Sequence, residues 1–258
     1  MTRIAVVGAS GRMGCEVVRA ALEDGRFELV GGVVEPGDEE VGADLGELCG
    51  TGRIGIAATE DPPDNAEALI EFTTPEATVE HLSYARPVVI GTTGLSEAQL
   101  QRVEEAAEGV PVVLAPNMSV GVSLVREVVR ELSEKLGADY DVEVVEAHHR
   151  NKVDAPSGTA LLLAWAAAEG RGRDLDEVAV YGREGRAPRR EGEIGIHAIR
   201  GGAVVGEHRV VFYGVGEEVE VIHRALSRRT FATGSLRAAR FVAKAEPGLY
   251  SMRDVLGA

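Results

Sequence analysis

The chain has 258 residues, and its 27 lysines and arginines face 42 aspartates and glutamates, giving a formal charge of −15. With 27% charged and 45% hydrophobic residues it has an ordinary globular composition, which excludes global disorder, and its length allows one or two domains of roughly 100–200 residues each. The acidic balance argues against a general nucleic-acid binder, which carries a net basic footprint.

Cys15 and Cys49 are too few for a disulfide framework or a four-cysteine zinc site. The first apolar run, residues 4–7, is too short for a signal-peptide core. The longest uncharged stretch, 109–125, holds Pro111, Pro116, Asn117 and Gly121 and so does not read as a membrane span. A reducing, cytoplasmic location is the expectation. Glycine is abundant at 32 residues, whereas lysine is confined to Lys135, Lys152 and Lys244, so a lysine inside a motif stands out.

In chain order, β-branched runs alternate with helical patterns through the first third, the signature of a parallel α/β sheet. Strands are predicted at 4–7, 27–34, 54–56, 69–72, 87–90 and 112–115. Helices are predicted at 12–23, 75–85 and 96–107, the last with Ser96 and Gln99 spaced as a capping box. A Gly-rich acidic loop covers 35–52. After Asn117 the pattern changes: a long helix over 120–136, a strand over 140–147, a polar loop over 148–156 and an Ala/Leu-rich helix from 157 to 168. Three strands then follow without helices, at 194–199, 204–213 and 219–223. A last helix, 230–245, is expected to pack back on the first domain. The fold class is therefore α/β: a Rossmann-like domain over 1–118 and 228–258 with a second α+β domain over 119–227; the segments below make the first the expected dinucleotide-binding domain and the second the expected substrate-binding and oligomerisation domain.

Gly8, Gly11 and Gly14 fall in GASGRMG, between a predicted strand and a predicted helix. Backbone N–H groups at a helix start, with no Cβ in the way, can approach a pyrophosphate. The spacing is G-x-x-G-x-x-G, and its partner is Glu35, 21 positions beyond Gly14, where an acid is expected to take a ribose hydroxyl. The bland alternative is a tight turn beside an exposed acid. A carboxylate at position 35 repels a 2′-phosphate, and Pro36 offers neither a cation nor an N–H. NADH is therefore expected to serve at least as well as NADPH, unless Arg12 reaches the phosphate.

The segment EAHHRNKVDAPSGTA, 146–160, combines two histidines, Arg150 and Lys152 with a predicted helix N-terminus at Ser157-Gly158-Thr159. Cations beside free helix N–H groups make a carboxylate site, and His and Lys are readily tuned to give a proton near neutral pH. The bland alternative is a solvated capping loop. Zinc is disfavoured because the His pair has no third ligand at suitable spacing, so no metal is expected. A short-chain dehydrogenase is excluded, since none of the five tyrosines has Lys four residues on. A thiol-dependent aldehyde dehydrogenase would need a cysteine in the second half. A dinucleotide-sensing regulator is the non-enzyme alternative, with Arg183, Arg186, Arg189 and Arg190 as a basic patch diluted by Glu184, Glu191 and Glu193.

Together with GTTG at 91–94, APNMSVG at 115–121, GIHAIRGG at 195–202, VGEH at 205–208, Ser227-Arg228 and Phe231-Ala232, these segments resemble the 4-hydroxy-tetrahydrodipicolinate reductases of lysine and diaminopimelate biosynthesis. The resemblance runs from residue 8 past residue 230. It implies that Gly8, Ala9, Ser10, Gly11, Arg12, Met13, Glu35, Gly91, Thr92, Thr93, Ala115, Pro116, Asn117 and Met118 touch the nicotinamide cofactor. It further implies His148 as principal proton donor, Lys152 as a second donor, and His149, Gly158 and Thr159 as holders of the substrate carboxylates. The implied substrate is a cyclic imine dicarboxylate. Hydride delivery to it leaves an enamine-like anion that a cationic His148 or Lys152 would stabilise and protonate. A homotetramer assembled through the second domain's sheet is implied as well, with no nucleic-acid or membrane partner. One departure is Thr74, where family members often carry a basic residue after Phe-Thr.

Overall fold

A computed structural model describes residues 1–257 and divides the chain into two compact units. One is Met1–Val120 with the chain from Arg228 onward; the other is Gly121–Ser227. In chain order the first part holds β1 (Thr2–Val7), α1 (Arg12–Glu23), β2 (Phe27–Val33), α2 (Leu45–Leu48), β3 (Ala58–Thr59) and β4 (Ala68–Glu71). It continues with α3 (Pro75–His81), β5 (Val88–Ile90), α4 (Glu97–Ala107) and β6 (Pro111–Leu114). The second unit follows with α5 (Val120–Leu136), β7 (Asp141–His148), α6 (Gly158–Gly170), α7 (Leu175–Val178), β8 (Ala179–Tyr181), β9 (Ile194–Arg200), β10 (Gly206–Tyr213) and β11 (Glu218–Ala225). The chain returns to the first unit with α8 (Arg229–Val242), β12 (Gly248–Tyr250) and α9 (Met252–Leu256).

The first unit is a seven-stranded parallel sheet in the order β12-β6-β5-β4-β1-β2-β3. β1 is apolar at every position from Ile4 to Val7 because both faces are covered. Ile4 and Val6 join a core with α1 and α8, whereas Ala5 and Val7 join one with Val103 and Ala107 of α4. The returning α8 packs on α1 and across β4, β5 and β6, burying Ala232, Leu236, Ala239 and Val242. Gly234 permits the close approach: a Cβ there would lie 1.7 Å from the Met118 carbonyl oxygen.

The second unit is a mixed sheet in the order β11-β10-β7-β9-β8. β7 alternates in register with its neighbours. Val142 and Val144 enter a core with Leu163 and Ala167 of α6, while Glu143 and Val145 lie on the opposite face.

Several expected elements shift. The strand over 54–56 does not form, because the Asp44 carboxylate takes the N–H groups of Ile54 and Gly55 at 3.0 and 2.6 Å, and Gly55 has φ +81°; the strand lies at Ala58–Thr59 instead. The helix after Pro75 ends at His81 in a 3-10 turn over Leu82–Tyr84. Short α2, α7, β8, β12 and α9 carried too few residues for a periodicity signal. The Ser96–Gln99 capping box forms as expected.

Candidate functional site

In the first unit, all the sequence-predicted cofactor positions fall at or just beyond the C-terminal ends of β1, β2, β5 and β6. That is the edge where open α/β sheets bind ligands. The glycine turn follows β1, between β4 and β2, where the strand order reverses. Gly8 has φ +78°, and a Cβ on it would stand 2.5 Å from the Phe72 carbonyl oxygen. A Cβ on Gly14 would stand 2.0 Å from the Gly8 oxygen, so α1 is locked against the turn. Gly11 caps α1 without any side-chain bond, and the helix has no acid in its first turn. The amide groups and positive end of the helix are thereby left for an anion.

Below the turn, the Cys49 and Cys15 thiols donate to the carbonyls of Ala9 and Ser10 at 3.6 and 3.7 Å. Burial pushes the Cys49 thiol up to about 12, so it is an inert packing group rather than a nucleophile. Ala9 is buried, Ser10 and Met13 are half-buried and Arg12 is exposed. Glu35 lies two residues beyond the end of β2 rather than on it, with its side chain exposed.

Gly91 is required by the Phe72 ring, whose Cε1 would be 2.2 Å from a Cβ there. Thr92 is 5% exposed and Thr93 is exposed. Ala115 is buried and donates to the Ile90 carbonyl at 3.2 Å; Pro116 is exposed, Met118 is buried, and Asn117 accepts from the Ser119 amide at 2.8 Å. Thr74, the departure from the family pattern, N-caps α3 through the Ala77 amide at 3.3 Å. These surroundings fit a dinucleotide: a phosphate cradle without side chains, and an acid at the adjacent strand end.

In the second unit, β7 carries His148 at its last position, so this residue begins no loop; it is 8% exposed. Glu146, two residues earlier and on the same face, lies 2.6 Å from His148 Nδ1. Arg200 of β9, the register partner of His148, donates to both Glu146 oxygens at 2.8 Å. The Ser157 amide donates to the same carboxylate at 3.0 Å. Burial alone would raise the Glu146 carboxyl, but the hydrogen bonds from Arg200, His148 and Ser157 outweigh it and hold it below the usual range.

Because an ionised carboxylate only accepts, Nδ1 of His148 carries a proton, and in the neutral ring Nε2 keeps its lone pair. Gly206 keeps that atom open, since a Cβ there would lie 3.1 Å from Nε2. Burial lowers the His148 pKa, and Glu146 only partly offsets this. In the unliganded fold this favours the neutral ring at neutral pH. His208 packs edge-on against it at 5.2 Å between centroids and lies 3.3 Å from Ser157 Oγ through Nε2. Burial, reinforced by neighbouring positive charge, takes His208 down to about 3.

Lys152 Nζ pairs with Asp154 at 2.7 Å, and His149 is half-buried. Ser157 N-caps α6 through the Ala160 amide at 3.2 Å. No acid occupies the first turn of α6, and the space around a Cβ on exposed Gly158 is open within 4 Å; Thr159 is half-buried one residue further on. His148, His149, Lys152, Gly158 and Thr159 thus come from one connected segment anchored at both ends by Glu146. Among the described residues no three His, Cys, Asp or Glu side chains are placed to hold a metal ion. The proposed basic patch is largely neutralised: Arg183 and Arg190 pair with Glu193, and Arg189 with Glu143 and Asp141.

Sequence reasoning named Ser157 as a helix N-terminus but gave no individual role to Glu146, Arg200, Gly206 or His208, although all four lie in segments it singled out. The i, i+2 spacing of Glu146 and His148 on a strand was a usable signal. The others depend on strand register, which no local pattern reveals.

Comparison with known proteins places both units. A profile described as dihydrodipicolinate reductase, N-terminus, matches residues 2–118, and one described as dihydrodipicolinate reductase, C-terminus, matches 121–256. The 4-hydroxy-tetrahydrodipicolinate reductase of Rubrobacter xylanophilus is 75% identical over 256 residues, covering 99% of this chain and 98% of that one. The reductase of the same name from Chromohalobacter salexigens is 50% identical over 266 residues, covering 100% and 99%. Among solved structures, the dipicolinate-bound dihydrodipicolinate reductase from Paenisporosarcina sp. TG-14 aligns with a TM-score of 0.74 at 25% identity over 97% of each chain.

Proposed function

The chain belongs to the dihydrodipicolinate reductase family, and we propose that it reduces 4-hydroxy-tetrahydrodipicolinate to tetrahydrodipicolinate with loss of water, using NADH or NADPH. The observation that carries this reading is the second unit's segment 146–160. It joins a helix N-terminus suited to carboxylates, a lysine and a buried histidine of fixed tautomer.

When bound, the dinucleotide supplies the hydride. The first-turn amides of α1 hold its pyrophosphate, Glu35 its ribose, and residues 91–93 and 115–118 its nicotinamide end. In the second unit, the α6 amides at Gly158 and Thr159, with His149, receive the substrate carboxylates. Arrival of two negative charges favours the imidazolium form of His148, so Nε2 takes up a proton that Glu146 then helps to retain. Loss of the ring hydroxyl and a neighbouring ring proton as water gives the conjugated imine; once hydride had been delivered to it, Nε2–H or the Lys152 ammonium would give its proton to the enamine-like anion, leaving the donor neutral.

The carboxylate of Glu35 and the missing N–H of Pro36 favour NADH at least as well as NADPH. The first unit serves as the dinucleotide domain and Gly121–Ser227 as the substrate and assembly domain. Outward residues of the second sheet, including half-exposed Ile199 and Ile222, suit a homotetramer interface, which light scattering would test. No helix among the described residues is long and apolar enough to cross a membrane, and a cytoplasmic setting accords with the reduced cysteines. The deciding experiment follows oxidation of NADH and of NADPH by purified protein on enzymatically generated substrate. Turnover is expected with either cofactor, and absence of turnover with both would overturn the proposal.

A further inference from the structure

Glu71 ends β4 with 1% of its surface exposed, and none of the chemistry above uses it. Its carboxylate accepts from the Thr73 hydroxyl and lies 3.0 Å from His81 Nδ1. Thr78 of α3, also 1% exposed, stands 3.4 Å from Glu71 and 2.8 Å from Thr92 Oγ1. Thr92 Oγ1 accepts again from the Thr73 amide at 3.2 Å. Five residues from β4, α3 and the loops after β4 and β5, Glu71, Thr73, Thr78, His81 and Thr92, therefore form one chain of hydrogen bonds.

The proton directions in that chain are fixed by its acidic end. A carboxylate accepts and does not donate, so the Thr73 hydroxyl proton and the His81 Nδ1 proton both point at Glu71. The Thr78 hydroxyl is the donor in both of its contacts, its proton shared between Thr92 at 2.8 Å and the Glu71 carboxylate at 3.4 Å. Both lone pairs of the Thr92 oxygen are then taken, by Thr78 and by the Thr73 amide. Its own proton has no acceptor among the described residues, although the residue is 95% buried. A buried hydroxyl with an unspent donor is costly unless a ligand accepts from it.

We propose that Glu71 is a positioning residue for the dinucleotide: through Thr73 and Thr78 it sets the Thr92 hydroxyl as a hydrogen-bond donor to an acceptor oxygen of the bound cofactor. This rests on the reading that the C-terminal edge of the first sheet holds the dinucleotide. A second consequence concerns the glycine turn. Thr73 Cγ2 would be 2.8 Å from a Cβ on Gly8, so the carboxylate that pins Thr73 also fixes the wall against which the turn packs.

The test is calorimetric binding of NADH to the full-length protein, with kcat at saturating dinucleotide and Tm measured alongside. Glu71→Gln keeps the shape but brings a donor to the head of the chain. It should weaken NADH binding about tenfold, the equivalent of one hydrogen bond, and change kcat at saturation by less than about threefold. Thr92→Val, which removes the donor without changing shape, should weaken binding equally, and Thr92→Ser should not. The double variant should bind no more weakly than the worse single one, because both act on the same proton. A fall in Tm with unchanged affinity in Glu71→Gln would make the residue merely structural and overturn the proposal. Additive losses in the double variant would overturn the route through Thr92, as would unaltered affinity in Thr92→Val. Failure of the wild-type protein to bind either dinucleotide would instead defeat the functional reading on which the proposal rests.

Discussion

Moderate acid should destabilise the second unit through its buried histidines, and His208 allows the effect to be worked out. The side chain is 3% exposed, flanked by His148 and His223, with Glu146 and Lys152 also acting on it, and its pKa is depressed to about 3. In the unfolded chain the value is about 6.5. Between those two values the unfolded state binds a proton that the folded state refuses, so stability rises with pH across the window and is complete above about pH 6.5. At about pH 5.5, one unit below the unfolded value, a single such group removes about 1.4 kcal/mol. His148 and His223 are lowered in the same direction by burial, and each adds at most a similar amount. Glu146, whose pKa is depressed, gives up its contribution only at lower pH, as the pH falls from the ordinary carboxylate range toward its folded value. The assay is urea unfolding at about pH 7.5 and about pH 5.5, followed by fluorescence of Trp165, the single tryptophan, which lies on α6 of this unit. His208→Gln, whose amide does not titrate, should lose about 1.4 kcal/mol less than wild type between the two conditions, whatever its stability at the higher pH. Equal losses in the two proteins would show that His208 is not held neutral in the folded state.

Substrate-side variants should separate from cofactor-side ones. His148→Gln and Lys152→Ala should each lower kcat by about 10²–10⁴-fold while NADH affinity stays near wild type; either retaining more than about a tenth of the activity would lose its role as an acid. A cyclic dicarboxylate that mimics the proposed substrate should bind more tightly as pH falls toward the depressed His148 value, because the complex holds the extra proton. A calorimetric pH series that stays flat in wild type would contradict that linkage. Gly14→Ala places a methyl group 2.0 Å from the Gly8 oxygen and should abolish dinucleotide binding while leaving the Trp165 fluorescence transition of the second unit in place. Pro36→Arg should move the kcat/KM ratio toward NADPH, since a guanidinium pairs with a 2′-phosphate through two hydrogen bonds; a tenfold wild-type preference for NADPH would refute the reading of Glu35.

What could be read in the sequence, and what could not, divides along a physical line. The glycine turn was legible because its constraints are local. Gly8 needs a positive φ, Gly14 must clear a carbonyl six residues away, and a strand and a helix flank them within a few positions. The segment 146–160 was legible because charge, proton-transfer side chains and a helix cap occur in one run. The long helices and buried strands were readable from periodicity, and Ser96–Gln99 from capping chemistry. The partners that set the behaviour of these groups were not. Arg200 reaches Glu146 across 54 residues, and it does so because β7 and β9 pair in the register that places His148 opposite Arg200. His208 meets His148 because β10 runs antiparallel beside β7, with His208 opposite Glu146. That same pairing buries His148, and burial is what lowers its pKa and favours the neutral ring in the unliganded fold. A histidine beside a lysine and an arginine in sequence suggests positive charge, but its protonation is decided by neighbours brought in by the sheet. The residue types of this cluster therefore belong to the local sequence, whereas their charge states belong to strand register, as the lowered pKa of His148 shows.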